Sequence, residues 1–212
     1  MDNYFITFII PTIGRKSLNN SIKSLLEQTN TSWNALIIFD GIKCNINIDD
    51  NRIKILEIDK VGNSEKKNYA GYVRNIGIKH IIEKSELNNI SEWFAFLDDD
   101  DYLSKDYIER LIEELNINNQ IEICIFRMKY ENGYILPTKY DKSIIKNKVG
   151  ISFAIKKNVA QNIIFKNNPF EDYMFLKEAE INKYKILISS YVTYFIRSQP
   201  VQCDFFPKVL IN

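Results

Sequence analysis

The chain has 212 residues, of which 45% are hydrophobic and 26% are charged, the balance of an ordinary globular protein. Its net charge is +1, from 28 basic and 27 acidic residues, so no overall field would attract nucleic acid or an anionic membrane. No apolar run approaches the roughly 20 residues of a membrane span, and the opening Met-Asp-Asn lacks the basic region of a signal peptide. We therefore expect a soluble, cytoplasmic protein, at most peripheral to a membrane, with residues 1–212 forming one domain.

The cysteines point to a reducing environment. Cys44, Cys124 and Cys203 are widely spaced and include no C-x-x-C pair. A disulfide framework and a zinc site are both disfavoured by this pattern. Cys124 lies in an apolar run and is expected to be a small core residue.

Apolar runs in the first half alternate between strand-like and helix-like spacing. Strands are predicted at residues 4–10, 35–39, 53–58 and 93–97. Helices are predicted at residues 17–28, 70–84 and 104–115. The order β-α-β-β-α-β-α is typical of an α/β protein whose mostly parallel, Rossmann-like sheet has helices on both faces. We interpret about residues 1–115 as a nucleotide-binding half.

The pattern changes after Gln120. Two β-rich runs, at residues 121–130 and 134–137, flank Glu131-Asn132-Gly133, and Asn-Gly is a typical hairpin turn. A strand at 151–155, a helix at 171–184 and a long strand at 186–196 are predicted to follow. These elements predict a mixed second half, about residues 116–212, that would form the acceptor side of a site.

Acidic residues are concentrated at the end of one buried strand. The apolar residues 93–97 run directly into Asp98, Asp99, Asp100 and Asp101. Clustered carboxylates repel one another and are costly to bury without a counter-charge. A bound Mn²⁺ or Mg²⁺ would remove the repulsion, since carboxylate oxygens are ligands that both ions prefer. In open α/β sheets, ligands bind beyond the carboxyl ends of the strands, where these acids would lie.

An alternative interpretation of the acidic segment is a solvated loop that caps the next helix. Ser104 would then be the N-cap residue, and Asp106 would lie in the first turn. Capping would explain one or two of the acids but not all four. We therefore expect a divalent cation site.

Five separated segments resemble, in the same order, the motifs of family 2 glycosyltransferases, which have the GT-A fold. The segments are Phe-Ile-Ile-Pro-Thr at 8–12, Leu-Ile-Ile-Phe-Asp-Gly at 36–41, Val-Arg-Asn-Ile-Gly at 73–77, Leu-Asp-Asp-Asp-Asp-Tyr-Leu at 97–103 and Phe-Glu-Asp-Tyr at 170–173. The third is similar to the family's Ala-Arg-Asn-x-Gly helix, the fourth to its Leu-Asp-x-Asp-Asp segment with the D-x-D motif, and the last to its late Glu-Asp motif. Each motif alone is weak, but five in order are specific.

The resemblance implies residues that bind the donor and the metal. Asp40 would read the nucleobase, usually uracil, because a carboxylate accepts from an imide N–H; the alternative is an ordinary Asp-Gly turn. Asp98 would contact the ribose or share the metal, and Asp100 would be the main ligand of Mn²⁺ or Mg²⁺ on the diphosphate. The neighbouring register would give these roles to Asp99 and Asp101. The other donor-binding candidates are Pro11, Thr12, Arg74, Asp99 and Arg197.

The resemblance also implies a catalytic base. Asp172 would take the proton of the acceptor hydroxyl as its oxygen attacks the anomeric carbon from the face opposite the leaving group, which inverts the configuration. Glu171 would help to hold the acceptor. The alternative is that both acids only cap the following helix, where negative charge is favourable. Many family members have a late histidine near the metal, but the single histidine here, His80, lies in a predicted helix, which leaves a third protein ligand unassigned.

Together these inferences predict a metal-dependent, inverting glycosyltransferase. It would move a sugar from a nucleotide-diphosphate sugar, with a UDP-sugar favoured, to a hydroxyl of a saccharide or lipid-linked acceptor. One rival is a nucleotidyltransferase that makes the activated sugar, but such enzymes need a Gly-rich phosphate loop, and residues 12–16 contain one glycine. The other rival is a non-catalytic nucleotide- or sugar-binding module, against which Asp100 and Asp172 argue.

Overall fold

The computed structural model describes residues 4–44, 46–61, 70–84 and 91–197. Cys44 and Cys124 are free thiols, and Cys124 is buried, whereas Cys203 lies outside the described residues. None of the helices in the described part of the chain is long and apolar enough to cross a bilayer.

The elements follow the predicted order, with two short additions. The strands are β1 (Ile6–Thr12), β2 (Trp33–Asp40), β3 (Ile53–Ile58), β4 (Trp93–Phe96), β5 (Tyr102–Leu103), β6 (Ile123–Tyr130), β7 (Ile135–Leu136), β8 (Phe153–Lys156) and β9 (Ile186–Ile196). The helices are α1 (Leu18–Leu26), α2 (Gly71–Lys84), α3 (Tyr107–Ile117), α4 (Lys157–Asn162) and α5 (Glu171–Ile181). The two additions, β5 and α4, are too short to give a periodic signal in the sequence.

Four parallel strands, in the order β3-β2-β1-β4, form the first half of the sheet. Chain order reverses at β1, since β2 lies on one side of it and β4 on the other, and ligands of open α/β sheets bind at such a switch point. The register pairs Thr12, at the end of β1, with Phe39 of β2. Thr12, Asp40 and Asp98 therefore lie at or just beyond the same edge of the sheet.

The second half continues the same sheet with mixed strands. β8 pairs antiparallel with β4 and β6, while β9 pairs parallel with β6 and antiparallel with β5. The predicted hairpin is confirmed: β6 and β7 are antiparallel, and Gly133 in their turn has a φ of +83°, which favours glycine. The pairing of β5 with β9 brings the end of the last strand beside the acidic segment.

The start of α3 excludes the capping interpretation of the acidic segment. α3 begins at Tyr107 with Asp106 as its N-cap residue, so Ser104 does not cap it. The two residues of β5 separate this helix from Asp98–Asp101. The acidic segment is a structure of its own between β4 and β5.

Helix α2 packs tightly on the sheet because Gly77 has no side chain. A Cβ at Gly77 would lie 2.5 Å from Ile38 Cδ1 and 3.1 Å from Ile9 Cγ2. Arg74 precedes Gly77 by three residues on the same helix and is only 2% exposed. The close approach of α2 thus buries an arginine that could have lain at the surface.

Aromatic side chains fix the start of α5 relative to the end of β4. Phe175 of α5 stacks on Phe165 with ring centroids 4.5 Å apart and on Phe153 at 5.5 Å. Phe96, the last residue of β4, meets Phe165 edge-on at 5.1 Å. Buried aromatic pairs have large contact areas and preferred geometries. The layer therefore holds two distant parts of the chain in a fixed relation.

Candidate active site

The acidic segment forms a turn that α1 and β9 hold in place. The Asp101 N–H donates to the Asp98 carbonyl at 3.1 Å, which closes the turn. Ser21 of α1 donates its hydroxyl to the Asp101 carbonyl at 2.6 Å. The Asp98 N–H donates to the hydroxyl of Tyr194, on β9, at 3.1 Å. These bonds orient the carboxylates before any ligand binds.

Asp99 points into the protein rather than toward the edge of the sheet. Its Oδ2 accepts from the Thr12 hydroxyl and its Oδ1 from the Arg15 guanidinium, each at 2.6 Å. The Thr12 oxygen in turn accepts the Gly14 N–H at 2.9 Å. Thr12 and Asp99 are therefore neighbours at the predicted donor site, but their polar atoms bind each other and join the turns that follow β1 and β4.

The other three acids present carboxylates to a common point. One oxygen from each of Asp98, Asp100 and Asp101 lies within 4.8 Å of the other two. Burial and the charge of Asp98 raise the pKa of Asp100, although Arg15 opposes the shift. Burial and the same neighbour raise the pKa of Asp101 to about 8. Buried carboxylates that face one another are costly to ionise together, and the grouping of these three oxygens fits a divalent cation that takes oxygen ligands.

The end of β9 borders this acidic cluster. The backbone N–H of Arg197 donates to Asp101 Oδ1 at 3.1 Å. The Arg197 guanidinium lies 4.6 Å over the ring of Tyr102, which itself stacks on Phe195 with centroids 4.9 Å apart. The structure thus brings Arg197 to the acidic cluster across 96 positions of sequence.

Arg74 connects the acidic cluster to the start of α5. Its guanidinium binds Asp98 Oδ1 and Glu171 Oε1, each at 2.5 Å, and lies 3.8 Å from Asp172 Oδ1. Burial alone would lower the pKa of Arg74, but the three carboxylates more than offset this, so the pKa is raised and the guanidinium stays charged. Arg74 therefore positions carboxylates from both halves of the chain.

The two acids that begin α5 have different surroundings. Both oxygens of Glu171 are bound, Oε1 by Arg74 and Oε2 by the Gly71 N–H at 2.9 Å, so Glu171 does not cap its own helix. Asp172 Oδ1 is buried and has no hydrogen-bond donor among the described residues, while the side chain as a whole is 25% exposed. Burial raises the pKa of Asp172 to about 7; Arg74 opposes the shift, and Glu171 and Asp98 add to it. A partly exposed carboxylate that titrates near neutrality is suited to general base catalysis.

The remaining predicted residues lie at different distances from this centre. Asp40 ends β2, is 8% exposed, and accepts the Val61 N–H on Oδ1 at 2.6 Å. Pro11 lies within β1, in register with Ile38. His80 lies apart from the acidic cluster, in a cleft lined by the first halves of β1 and β2.

Three contributors to the site carry no sequence signal of their own. Asp101 falls outside the chosen D-x-D register, yet the closed turn places its carboxylate with those of Asp98 and Asp100. Arg15 stands in a turn without a motif, and Tyr194 stands in an apolar strand. In the sequence, the position of Asp101 as the fourth consecutive acid is the one signal of its role. Four adjacent carboxylates repel one another more than three, so they favour a shared counter-charge.

Comparison with solved structures identifies the fold. The chain is similar to S. aureus TarS in complex with UDP-GlcNAc, with a TM-score of 0.67 and 19% identity, over 92% of this chain and 58% of that one. It is also similar to the mannosyltransferase PcManGT from Pyrobaculum calidifontis in complex with GDP-Man and Mn²⁺, with a TM-score of 0.65 and 10% identity, over 93% of this chain and 58% of that one. At these identities the likeness establishes the fold, which is the GT-A fold of glycosyltransferases.

The family follows from sequence comparison. The family model of glycosyl transferase family 2 matches residues 7–175, and the chain belongs to that family. The match contains both acidic regions, so the predicted membership of this family is confirmed and the domain is of the glycosyltransferase class. One relative, the UDP-Glc:alpha-D-GlcNAc-diphosphoundecaprenol beta-1,3-glucosyltransferase WfgD of Escherichia coli, is 27% identical over 173 residues, which are 79% of this chain and 57% of WfgD. The chain thus spans little more than half the length of that relative.

Proposed function

We propose that this domain transfers a sugar from a UDP-sugar to a hydroxyl group of a saccharide or lipid-linked acceptor, with inversion, and that the reaction requires Mn²⁺ or Mg²⁺. The observation that carries the proposal is the link, through Arg74, between an acidic cluster with excess charge and Asp172. A uridine donor is supported by the UDP-GlcNAc bound to TarS and by the UDP-Glc named for WfgD. The lipid-linked acceptor is supported by the name of WfgD alone.

The donor would bind at the carboxyl ends of β1, β2 and β4. Asp98, Asp100 and Asp101 would hold the cation, which when bound neutralises charge on the leaving nucleoside diphosphate. Arg197, beside this cluster, would add a guanidinium to the diphosphate, a contact for which its geometry is suited. The walls of the nucleoside pocket would come from the ends of the first two strands and the adjoining turn, namely Pro11, Thr12, Asp40 and Asp99.

Asp172 would be the catalytic base. Its Oδ1 is buried and lies toward Arg74. The rest of the side chain is partly exposed and would face the acceptor. The acceptor oxygen would bond to the anomeric carbon as the bond from that carbon to the diphosphate breaks, and the hydroxyl proton would pass to Asp172. Glu171 would border the acceptor while its oxygens hold α2 in place.

A thermal-shift panel tests the donor and the metal together. UDP, GDP, TDP and CMP are each added with Mn²⁺ and with EDTA, because a ligand that binds only the native state raises Tm by mass action. We expect UDP to raise Tm with Mn²⁺ but not with EDTA. Asp100→Asn should abolish the shift and Asp172→Asn should retain it. A panel without any shift would contradict the proposal.

The anomeric configuration of the product tests the role of Asp172. Direct displacement with a base gives a product of opposite configuration to the donor, which proton NMR of the new linkage reports. A product of retained configuration would rule out this role for Asp172, whatever the identity of the donor.

A further inference from the structure

A basic loop lies next to the proposed base. The lysine loop, residues 138–150, joins β7 to β8 and contains neither helix nor strand. It has four lysines and one acid, Asp141, within thirteen residues of a chain whose net charge is only +1. The loop is therefore a local concentration of positive charge that the composition of the whole chain conceals.

The single acid of the lysine loop is fully used by the loop itself. Asp141 Oδ2 accepts from the N–H and the hydroxyl of Thr138, at 2.8 and 2.7 Å, and Oδ1 accepts from Lys148 Nζ at 2.5 Å. The other lysines are exposed, and none of them forms an ion pair with a carboxylate of the described residues. They are Lys139, Lys142 and Lys146.

Two contacts place the lysine loop beside Asp172. Lys146 Nζ lies 3.7 Å over the ring of Phe170, which stands two residues before Asp172 in the chain. At the far end of the loop, a Cβ on Gly150 would be 4.0 Å from Asp172 Oδ2. An acceptor that reaches Asp172 would therefore pass close to the ammonium group of Lys146.

The same surface exposes apolar side chains. Phe170 is 38% exposed, Met174, one turn later in α5, is 36% exposed, and Ile145 and Tyr140 of the loop are 37% and 79% exposed. Lysines interspersed with aromatic and aliphatic side chains match a ligand that joins a phosphate to a hydrocarbon chain. A neutral glycan would pack on the aromatic rings but would not use the charge of the lysines.

We infer that the lysine loop binds the diphosphate of an acceptor whose sugar is linked to a lipid through its anomeric carbon. The inference rests on the proposed function and specifies its acceptor. With a hydroxyl of the acceptor sugar at Asp172, the anomeric phosphate would be one sugar ring away, and the inference places it at Lys146, which lies over Phe170. The donor diphosphate is bound elsewhere, at the acidic cluster beyond Arg74, so the two diphosphates do not compete.

The inference is tested with two acceptors that share one sugar. The first is N-acetylglucosamine linked through a diphosphate to a short alkyl chain, and the second is the neutral alkyl N-acetylglucosaminide. The triple variant Lys139→Gln, Lys142→Gln, Lys146→Gln leaves the Asp141–Lys148 pair intact. The control is Lys54→Gln with Lys84→Gln, two lysines in the cleft that also holds His80, away from the acidic cluster.

We expect the triple variant to weaken direct binding of the diphosphate probe about 10- to 100-fold, since several phosphate contacts are lost. The preference for the diphosphate over the neutral acceptor in kcat/KM should fall by a similar factor, while the control variant should keep both values within twofold. Added salt should weaken binding of the diphosphate probe to the wild-type protein more than to the triple variant.

Equal binding of the diphosphate probe by the triple variant and the wild-type protein would overturn the inference. So would loss of binding to vesicles containing anionic lipid with an unchanged acceptor preference, which would make the loop a membrane contact instead. The probe is bound without donor or metal, so the binding result stands even where transfer is not seen. Failure of the proposed function is detected separately, as absence of UDP binding in the thermal-shift panel.

Discussion

The two acidic regions of the site balance their charge in different ways. In the segment after β4, Asp99 is bound on both oxygens by protein donors, and in the pair that begins α5, Glu171 is bound in the same manner. After β4, the three other carboxylates, of Asp98, Asp100 and Asp101, lie together. At α5, Asp172 is the one other acid, and its Oδ1 has no hydrogen-bond donor among the described residues. The first region therefore concentrates three carboxylates that fit the proposed metal ion, while the second has one carboxylate that a single proton neutralises.

Within each region, one acid is bound by protein donors on both oxygens and another is not. Asp99 and Glu171 fix the turn after β4 and helix α2, and their charges are satisfied in the absence of any ligand. Burial, together with neighbouring carboxylates, raises the pKa values of Asp100 and Asp172, and the opposing arginines do not cancel the shift. Adjacent acidic residues thus differ in whether protein donors bind both of their oxygens, and four predictions test this division.

The largest effect is expected from Asp172→Asn. Loss of a general base lowers kcat by about 10²- to 10⁴-fold, and the Kd for UDP with Mn²⁺ should stay within about twofold, because the donor site lies beyond Arg74. Steady-state kinetics and calorimetric titration measure the two values. Glu180→Gln, an exposed acid later in α5, is the matched control and should leave kcat unchanged. A wild-type transfer rate in Asp172→Asn would remove the base assignment.

Arg74→Met should have the largest effect on stability. It leaves three carboxylates facing one another around a buried space, and breaking a buried ion pair costs about 3–5 kcal/mol. Urea unfolding at pH 7 measures the loss in the free energy of unfolding. Arg110→Met, at an exposed pair of acids on α3, should cost far less. Similar losses in both variants would mean that Arg74 is an ordinary ion-pairing residue.

Asp99→Asn and Asp100→Asn should change stability in opposite directions. Asp99→Asn weakens a buried network with Thr12 and Arg15, which costs about 1–3 kcal/mol. Asp100→Asn removes a charge that burial and Asp98 disfavour, so the metal-free protein should gain stability at pH 7. Thermal unfolding in EDTA compares the two variants with the wild type. Destabilisation by both would show that Asp100 is part of the scaffold.

The titration of Asp172 gives the smallest effect. Its pKa is raised from 3.8 to about 7, so the folded protein favours the protonated form; this contribution to stability is complete below about pH 4 and is lost as the pH rises through about 7. The metal-free wild type should therefore lose about 1–2 kcal/mol over this window relative to Asp172→Asn, after allowance for solvent screening. In the same window, kcat should rise about tenfold per pH unit and level off above pH 7. Parallel stability curves for the two proteins would contradict the raised pKa.

Most of the fold could be predicted because its elements are long and periodic. β3 and β9 begin and end at the predicted residues, since each is a continuous β-rich run. β5 could not be predicted because a strand of two residues is too short to show a periodic pattern. It matters because it pairs with β9, which is far away in the sequence. A local sequence pattern identifies a helix or strand, but it does not identify the distant strand with which that element pairs.

The candidate site, too, has features that the sequence predicts and features that depend on tertiary contacts. The acids of Asp98–Asp101 and Glu171–Asp172 could be found because motifs mark them in the sequence. The burial of Arg74 could not, since it depends on the close approach of α2 at Gly77, and neither could the inward turn of Asp99, which depends on Arg15. Which acid of a cluster remains available is decided by tertiary partners, and these leave no trace in local spacing.

The long separations within the site have a consequence for synthesis on the ribosome. The Gly71–Glu171 hydrogen bond spans 100 positions, and the bond from Asp98 to Tyr194 spans 96. The acidic turn therefore leaves the ribosome well before the strand that fixes it and the helix that carries Asp172. A chain that ends before Glu171 lacks the partners of both Gly71 and Asp98, so the two halves of the proposed site are not yet joined. The acidic turn gains all the contacts described here only when β9 has joined the sheet.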